Sequence, residues 1–251
     1  MEPLIHDDFL LGTDSARALY EEYARPLPLI DYHTHLSPQE IAGDRRWENL
    51  AQLWLGGDHY KWRALRWNGV PERLVTGDAP DREKFNAFAS TLPRLLRNPL
   101  HHWCHLELAR YFDYYGLLGP TPLRGLGPTP RKSSTTASVA RECLRSMRVQ
   151  VVCTTDDPAD DLAYHKKVKD EGFACKVLPT WRPDKAMAIE NPEAYNAYLA
   201  KLGELANVEI SSFAKLIEAL KVRHNFFHEM GCRLSDRGLE CFWPKIIPRP
   251  E

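Results

Sequence analysis

The sequence lacks the features that would mark a nucleic-acid-binding, membrane or secreted protein. Its 251 residues carry a formal net charge of −1, so no basic surface for nucleic acid or for an acidic membrane is indicated. No apolar run approaches the length of a membrane span. The N-terminal segment has neither the basic start nor the apolar stretch of a signal peptide. We therefore expect a cytoplasmic protein without nucleic-acid or membrane partners.

The sequence also lacks a cysteine pattern that would indicate disulfide bonds or a redox motif. The chain has six cysteines, but none of them form a C-x-x-C pair. In a chain without an export signal, reduced thiols are expected. Disulfide frameworks and redox motifs are therefore not indicated.

The sequence does contain alternating apolar strands and amphipathic helices. Strands are predicted within residues 27–35, 148–158, 174–185 and 232–236, the first of them buried. Helices are predicted within residues 13–24, 46–55, 81–97, 162–172 and 210–231. In the last helix, the residues expected on one apolar side are Phe213, Leu216, Ile217, Leu220 and Phe227. Strands separated by helices indicate βαβ units, an α/β fold and a parallel sheet.

The chain divides by composition into four segments. Residues 1–115 are expected to hold the first strand and a helical insertion, and residues 146–240 further βα units. Between them, residues 116–145 are predicted to be irregular, since residues 116–140 repeat GPTP and then run through Ser and Thr. The proline-rich residues 241–251 are predicted to form an irregular tail.

Two histidines, His33 and His35, end the first apolar run and form the clearest motif. Side chains at positions i and i+2 of a strand point to the same side, and the strand rises about 3.3 Å per residue. Both imidazoles can therefore reach one metal ion, although such a site needs further ligands, usually a carboxylate. The alternative is two histidines hydrogen-bonded in a core or loop.

The other predicted strands also end in residues capable of chemistry, which favours an enzyme with its site at the carboxyl ends of the strands. Pro183 keeps Arg182 out of helical backbone angles, and a fixed guanidinium binds a carboxylate through two hydrogen bonds. The alternative for Arg182 is an ion pair with Asp184. Asp236 follows the fourth strand and could orient a base or take a proton, or it could cap a helix.

Two further clusters are ambiguous. His59 and Tyr60 stand beside basic residues, and a tyrosine can carry a proton if a partner lowers its pKa. The alternative is a polar loop and helix start. His101 and His105 are four residues apart and could form a second metal site, but a packed helix face is the favoured interpretation.

Seven stretches together resemble uronate isomerases (glucuronate isomerases) of the amidohydrolase superfamily. They are DYHTHLSP, GDHYKWRALRWNGV, TGDAPDREKF, NPLHHWCHLEL, VVCTTDDPADDLAYH, KVLPTWRPDKA and GCRLSDRGLE. They follow the family's order at similar spacing and span most of residues 1–240, except roughly 115–145. The resemblance implies a partial metal-dependent (β/α)8 barrel, of which about four strands can be recognised in this chain.

The resemblance also implies a reaction and roles for individual residues. The reaction is the aldose–ketose isomerisation of D-glucuronate to D-fructuronate and of D-galacturonate to D-tagaturonate, with a divalent metal, often zinc. His33 and His35 match the metal ligands. His59 and Arg182 match residues that contact the substrate. Tyr60 matches a proton carrier, and Asp236 matches a carboxylate near the reacting carbons.

The chain departs from the family in two respects. The histidine and aspartate motifs of the family's later strands are not found, and Arg237 stands where the family commonly has His. The alternative is therefore a truncated, non-catalytic remnant that acts only by association with another chain. We expect the protein to be a homo-oligomer or to pair with a complementing chain.

Overall fold

A computed structural model describes residues 3–120 and 139–238 of the chain. The chain forms two compact units, Met1–Pro28 with Asp44–Arg148, and Leu29–Gly43 with Val149–Glu251. Among the described residues, no helix is long and apolar enough to cross a membrane. Most of the irregular segment predicted at 116–145 and the whole tail at 241–251 lie outside the described residues.

The first unit is helical in its described part. Its helices are α1 (Asp14–Leu19), α3 (Leu50–Leu55), α4 (His59–Trp67), α5 (Asp81–Thr91), α6 (Pro99–Phe112) and α7 (Ala140–Ser146). Thr13 caps the start of helix α1, and its hydroxyl accepts a hydrogen bond from Ala16 N at 3.1 Å. The helix predicted over 81–97 ends at Thr91 and continues as a 3-10 turn, Leu92–Arg94, because Pro93 cannot donate a backbone hydrogen bond. Residues 140–145, predicted to be irregular, lie in α7 instead.

The core of this unit forms where the apolar sides of α3, α4, α5 and α6 meet. Trp54 packs on Phe85 and Phe88, with ring centroids 6.4 and 6.1 Å apart. Leu65 and Leu108 are fully buried in the same cluster. The helices predicted within 46–55 and 81–97 are confirmed as α3 and α5, and both contribute to this core.

The second unit contains the parallel sheet. Its elements are β1 (Leu29–Asp31), α2 (Pro38–Ala42), β2 (Val149–Cys153), α8 (Ala163–Asp170), β3 (Lys176–Leu178), α9 (Pro192–Ala206) and α10 (Phe213–Glu229). The strand order is β1-β2-β3 and both pairings are parallel. Two of the predicted helices end next to glycines in left-handed conformations, Gly172 and Gly231.

Three predictions for this unit need correction. The fourth strand, predicted over 232–236, is a single parallel bridge between Ser235 and Trp181, so the sheet has three strands rather than four within residues 3–120 and 139–238. The first strand is exposed rather than buried, with Leu29 and Ile30 53% and 64% accessible, because within the described residues β1 pairs only with β2. Phe213 is exposed at the first turn of α10 and is not part of the buried side of that helix.

A hydrogen-bond ladder continues beyond the ends of the strands. Thr34 N donates to Cys153 O at 3.1 Å, and Thr154 N donates to Leu178 O at 3.0 Å. Further along, Asp236 N donates to the carbonyl of Trp181 at 3.0 Å. The segments that follow the three strands and the bridge at Ser235 therefore stay side by side, and their side chains emerge at one edge of the sheet.

A buried polar cluster lies at the end of β2. The hydroxyl of Thr154 donates to Asp156 Oδ2 at 2.7 Å and lies 2.7 Å from Nε2 of His165. Asp156 also accepts a hydrogen bond from Thr180 N at 3.1 Å. Burial raises the pKa of Asp156 to about 6 and lowers the pKa of His165 to about 4. Both groups are therefore favoured in their neutral forms inside the fold.

We expect the pH dependence of stability to reveal this cluster. A raised Asp pKa means that the folded state binds the proton more tightly, so the stabilisation is present below pH 4 and is lost as the pH rises through about 6. A shift of about two units corresponds to about 3 kcal/mol. The Asp156→Asn variant cannot titrate, so its free energy of unfolding should improve relative to wild type by up to about 3 kcal/mol between pH 4 and pH 7.

The measurement is urea unfolding followed by circular dichroism at several pH values. The opposite dependence of His165, whose stabilisation is lost as the pH falls towards about 4, is present in both proteins and largely cancels in the difference. A difference between the Asp156→Asn variant and wild type that does not change with pH would contradict the raised pKa.

Candidate active site

His33 and His35 lie just beyond the carboxyl end of β1. The hydrogen bond from Thr34 N to Cys153 O holds the intervening residue against the end of β2. The two imidazole rings are 5.1 Å apart between centroids, with their planes at 80°. The predicted convergence of two histidines spaced i, i+2 is therefore present. Their predicted role as metal ligands remains a prediction.

Asp236 and Arg182 lie next to His33. The Oδ2 atom of Asp236 is 3.6 Å from Nδ1 of His33 and 3.4 Å from Nη1 of Arg182. The backbone bridge between Trp181 and Ser235 brings these two segments together. The structure thus gathers four of the six predicted site residues at one edge of the sheet.

Arg182 has a second acidic partner. Its Nε donates to Oδ2 of Asp184 at 2.8 Å, so the ion pair named above as the alternative for Arg182 is present. That pair uses Nε, so the terminal nitrogens of Arg182 can still donate to a carboxylate, although Nη1 already lies 3.4 Å from Asp236 Oδ2. Asp236 caps no helix among the described residues, because residues 237–238 are not helical, and the capping alternative is wrong there.

His59 and Tyr60 are the first two residues of α4, in the first unit. Asp58 caps this helix, accepting hydrogen bonds from the backbone N–H groups of Tyr60 at 2.9 Å and Lys61 at 3.2 Å. The ring centroids of Tyr60 and His59 are 4.3 Å apart, with the ring planes tilted by 33°, and Tyr60 is 58% exposed. The helix start named as an alternative is therefore present, and it presents both side chains at an exposed helix terminus.

Lys61 is a buried cation beneath this helix terminus. It is only 7% exposed and its Nζ lies 2.6 Å from Asp58 Oδ2. Burial alone disfavours the charged form of Asp58, but the hydrogen bond and the charge of Lys61 outweigh it and lower the pKa of Asp58. Asp58 therefore caps α4 and neutralises Lys61 at the same time.

His105 confirms the favoured structural interpretation of its helix. It is buried, and its Nε2 accepts a hydrogen bond from Leu118 N at 3.0 Å. Its Nδ1 lies 2.5 Å from the carbonyl of His101, which fits a neutral ring protonated at Nδ1. Burial lowers the pKa of His105, consistent with that neutral form. A second metal site with His101 is not supported.

Within residues 3–120 and 139–238, no group of three or more His, Cys, Asp or Glu side chains is arranged to hold a metal ion. His33 and His35 could supply two nitrogen ligands, which suit zinc and related ions. The described residues therefore fit part of a metal-binding site.

Sequence reasoning missed the roles of three residues, two in the first unit and one in the second. Asp58 and Lys61 were passed over, although an aspartate directly before a helix is a capping signal. Gly238 was also passed over, and it donates its backbone N–H to Asp184 Oδ2 at 2.7 Å. In the sequence, Gly238 is recognisable only as a glycine two residues after Asp236. That position alone does not predict its contact with Asp184.

Comparison with known proteins places the chain in a family. The family model for glucuronate isomerase matches residues 1–245. The chain belongs to the glucuronate isomerase family. This confirms the resemblance inferred from the seven sequence stretches.

Among curated relatives, the uronate isomerase of Lachnoclostridium phytofermentans is 52% identical over 241 residues, which cover 95% of this chain and 52% of that protein. The uronate isomerase of Opitutus terrae is 50% identical over 240 residues, covering 96% and 51%. The chain therefore spans about half the length of the curated relatives it matches.

Two solved structures are similar to this chain. The uronate isomerase of Thermotoga maritima aligns with a TM-score of 0.84 at 32% identity, covering 93% of this chain and 51% of that one. The glucuronate isomerase of Caulobacter crescentus aligns with a TM-score of 0.83 at 23% identity, covering 94% and 52%, which supports the fold alone.

We expect Asp58→Ala to be more destabilising than an ordinary loss of a helix cap. It removes the cap, which is worth about 1 kcal/mol, and leaves the Lys61 charge buried without its partner. The expected loss in free energy of unfolding is about 2 to 4 kcal/mol. Urea unfolding of the purified variants measures it, with Thr13→Ala, which removes the N-cap of α1, as the matched control.

The double variant Asp58→Ala/Lys61→Met separates the two effects. It removes the cap together with the buried charge, so it should be more stable than Asp58→Ala alone. Equal losses for Asp58→Ala and Thr13→Ala would show that Lys61 does not depend on Asp58.

Proposed function

We propose that this chain acts as a uronate isomerase, interconverting D-glucuronate with D-fructuronate and D-galacturonate with D-tagaturonate in uronate catabolism. The observation that carries the proposal is the meeting of His33, Asp236 and Arg182 at the carboxyl edge of a parallel sheet. The uronate isomerases similar to this chain support it. We further propose that the three-stranded sheet is part of a (β/α)8 barrel of the amidohydrolase type.

Arg182 is proposed to bind the carboxylate of the substrate. A guanidinium donates two parallel hydrogen bonds to a carboxylate, a geometry that fixes the sugar acid as well as attracting it. His59, exposed at the start of α4, is proposed as a second substrate contact. Holding both ends of the substrate matters, because misplacement by about 1 Å can cost about 100-fold in rate.

The isomerisation requires a proton to leave the carbon beside the carbonyl and return to the neighbouring carbon through an enediol. Asp236 is proposed as the carboxylate near these carbons, since it shares its position with His33 and Arg182. Tyr60 is proposed as a proton carrier. Both assignments come from the family resemblance.

His33 and His35 are proposed to hold a divalent ion, zinc by preference. Such an ion, when bound, supplies a positive charge that stabilises the oxygen of the enediolate. Two imidazoles alone hold a divalent ion weakly, so a complete site needs further ligands, usually a carboxylate.

None of the comparisons favours the alternative of a non-catalytic remnant. The proposal extends to a cytoplasmic location and to a homo-oligomer or a complementing chain, neither of which the comparisons address.

The direct test is isomerisation of D-glucuronate and D-galacturonate by the purified chain with added zinc or manganese. We expect ketose formation, and we expect His33→Ala to reduce it by at least about 100-fold because the ion's contribution is lost. The exposed His228 gives a matched control, and His228→Ala should retain the wild-type rate. Absence of ketose with both sugars and both metals would contradict the proposal.

Metal binding can be measured independently of turnover. Equilibrium dialysis against zinc, with the bound metal quantified by mass spectrometry, should show weaker binding by at least about tenfold in His33→Ala and in His35→Ala. Loss of even an outer partner of a metal ligand has that effect. His228→Ala again serves as the control. Unchanged zinc affinity in both site variants would contradict the assignment of these histidines.

A further inference from the structure

The guanidinium of Arg182 lies between two carboxylates. Its Nε donates to Asp184 Oδ2 at 2.8 Å, and its Nη1 lies 3.4 Å from Asp236 Oδ2. The Arg182 side chain is only 26% exposed. Because its stem and one nitrogen are held, the end formed by Nη1 and Nη2 keeps a defined direction.

Asp184 connects the guanidinium of Arg182 to the backbone of Gly238. Its Oδ2 accepts both the Nε–H of Arg182 and the backbone N–H of Gly238, the latter at 2.7 Å. The carboxylate is thus fixed by a backbone donor on one side and orients the guanidinium on the other. The backbone around residue 238 therefore controls the orientation of Arg182.

Gly238 also provides the space that the guanidinium occupies. A Cβ atom at this position would lie 2.2 Å from Nη2 of Arg182 and 3.0 Å from Oδ2 of Asp184. The φ angle of Gly238 is not in the left-handed region, so its backbone would accept an alanine. The missing side chain therefore serves the packing of Arg182 rather than the conformation of the chain.

A methyl group at position 238 would move side chains rather than unfold the protein. The three atoms that it would meet, Nη2 and Cζ of Arg182 and Oδ2 of Asp184, are at the ends of side chains, which can turn away. Relief of the 2.2 Å contact requires the guanidinium to shift by about 1 Å or more, to reach ordinary van der Waals separation. The fold should survive, while the orientation of Arg182 should not.

We propose that Gly238 and Asp184 are positioning residues that set the direction of Arg182 and thereby the preference for a sugar acid over a neutral sugar. This inference rests on the proposed function, in which Arg182 binds the uronate carboxylate. Neither residue touches the substrate in this scheme. Both act through the guanidinium.

The first experiment compares binding of D-glucuronate with binding of D-glucose, which lacks the carboxylate, by titration calorimetry on the full chain. Gly238→Ala should weaken D-glucuronate binding by about tenfold or more and leave D-glucose binding unchanged, because only the carboxylate uses Arg182. Gly12→Ala is the matched control, since a Cβ at position 12 meets no atom within 4 Å.

Two substitutions at Asp184 extend this experiment. Asp184→Ala removes the acceptor and should weaken D-glucuronate binding as Gly238→Ala does. Asp184→Asn retains an oxygen that can accept both hydrogen bonds, so it should restore a large part of the affinity. A merely structural role would not distinguish the two sugars and would not show this rescue.

The second experiment needs no substrate. Phenylglyoxal modifies the guanidinium groups that it can reach, and in the wild-type chain the side chain of Arg182 is only 26% exposed and is bonded to Asp184. Peptide mapping by mass spectrometry should therefore show Arg182 modified several-fold faster in Gly238→Ala and Asp184→Ala than in wild type and Gly12→Ala. Circular dichroism verifies that the variants are folded.

The two experiments separate the two proposals. Unchanged reactivity of Arg182 towards phenylglyoxal in folded Gly238→Ala would overturn the positioning role, regardless of the results of the sugar-binding experiment. Faster modification with no loss of D-glucuronate binding would overturn the link to specificity. A wild-type chain that binds D-glucuronate no better than D-glucose would contradict the proposed function. The reactivity of Arg182 would still test whether Gly238 and Asp184 position its guanidinium.

Discussion

The candidate site depends on a parallel hydrogen-bond ladder that does not stop where the strands stop. Backbone bonds continue from Thr34 to Cys153 and from Asp236 to Trp181 after the regular strands have ended. These bonds keep segments from distant parts of the sequence side by side. His33 and Asp236 therefore meet although the chain between them is long, and no side-chain attraction is needed to bring them together.

Two aspartates near this edge have specific side-chain partners. Burial raises the pKa of Asp156 within its cluster with Thr154 and His165, whereas Asp184 is paired with Arg182. The two aspartates come from neighbouring segments but serve different ends. Asp156 links the ends of β2 and β3 through its hydrogen bonds from Thr154 and Thr180. Asp184 holds the guanidinium of Arg182 in a fixed orientation.

Sequence reasoning captured what depends on local pattern. Apolar runs bounded by proline predicted the strands, and the rule that parallel strands end at one edge predicted the convergence of His33, Arg182 and Asp236. It failed where the outcome depends on neighbours distant in sequence. Ile30 is exposed because its burial depends on other segments packing on β1. Gly238 matters for the orientation of Arg182 because the two residues lie close together. Neither is encoded in a short stretch of residues.

The irregular pairing at the start of the sheet has a consequence for the edge. Leu29 pairs with Val149, but Ile30 pairs with Val151, so Gln150 has no opposite residue in β1. Side chains alternate between the two faces of a strand, and a shift by one residue exchanges the faces. Because the extra residue lies in β2, the offset changes the faces of β2 relative to β1 and leaves the alternation of β1 towards the two histidines unchanged. One residue added to β2 after Gln150 would exchange the faces of the residues that follow it, whereas two added residues would not.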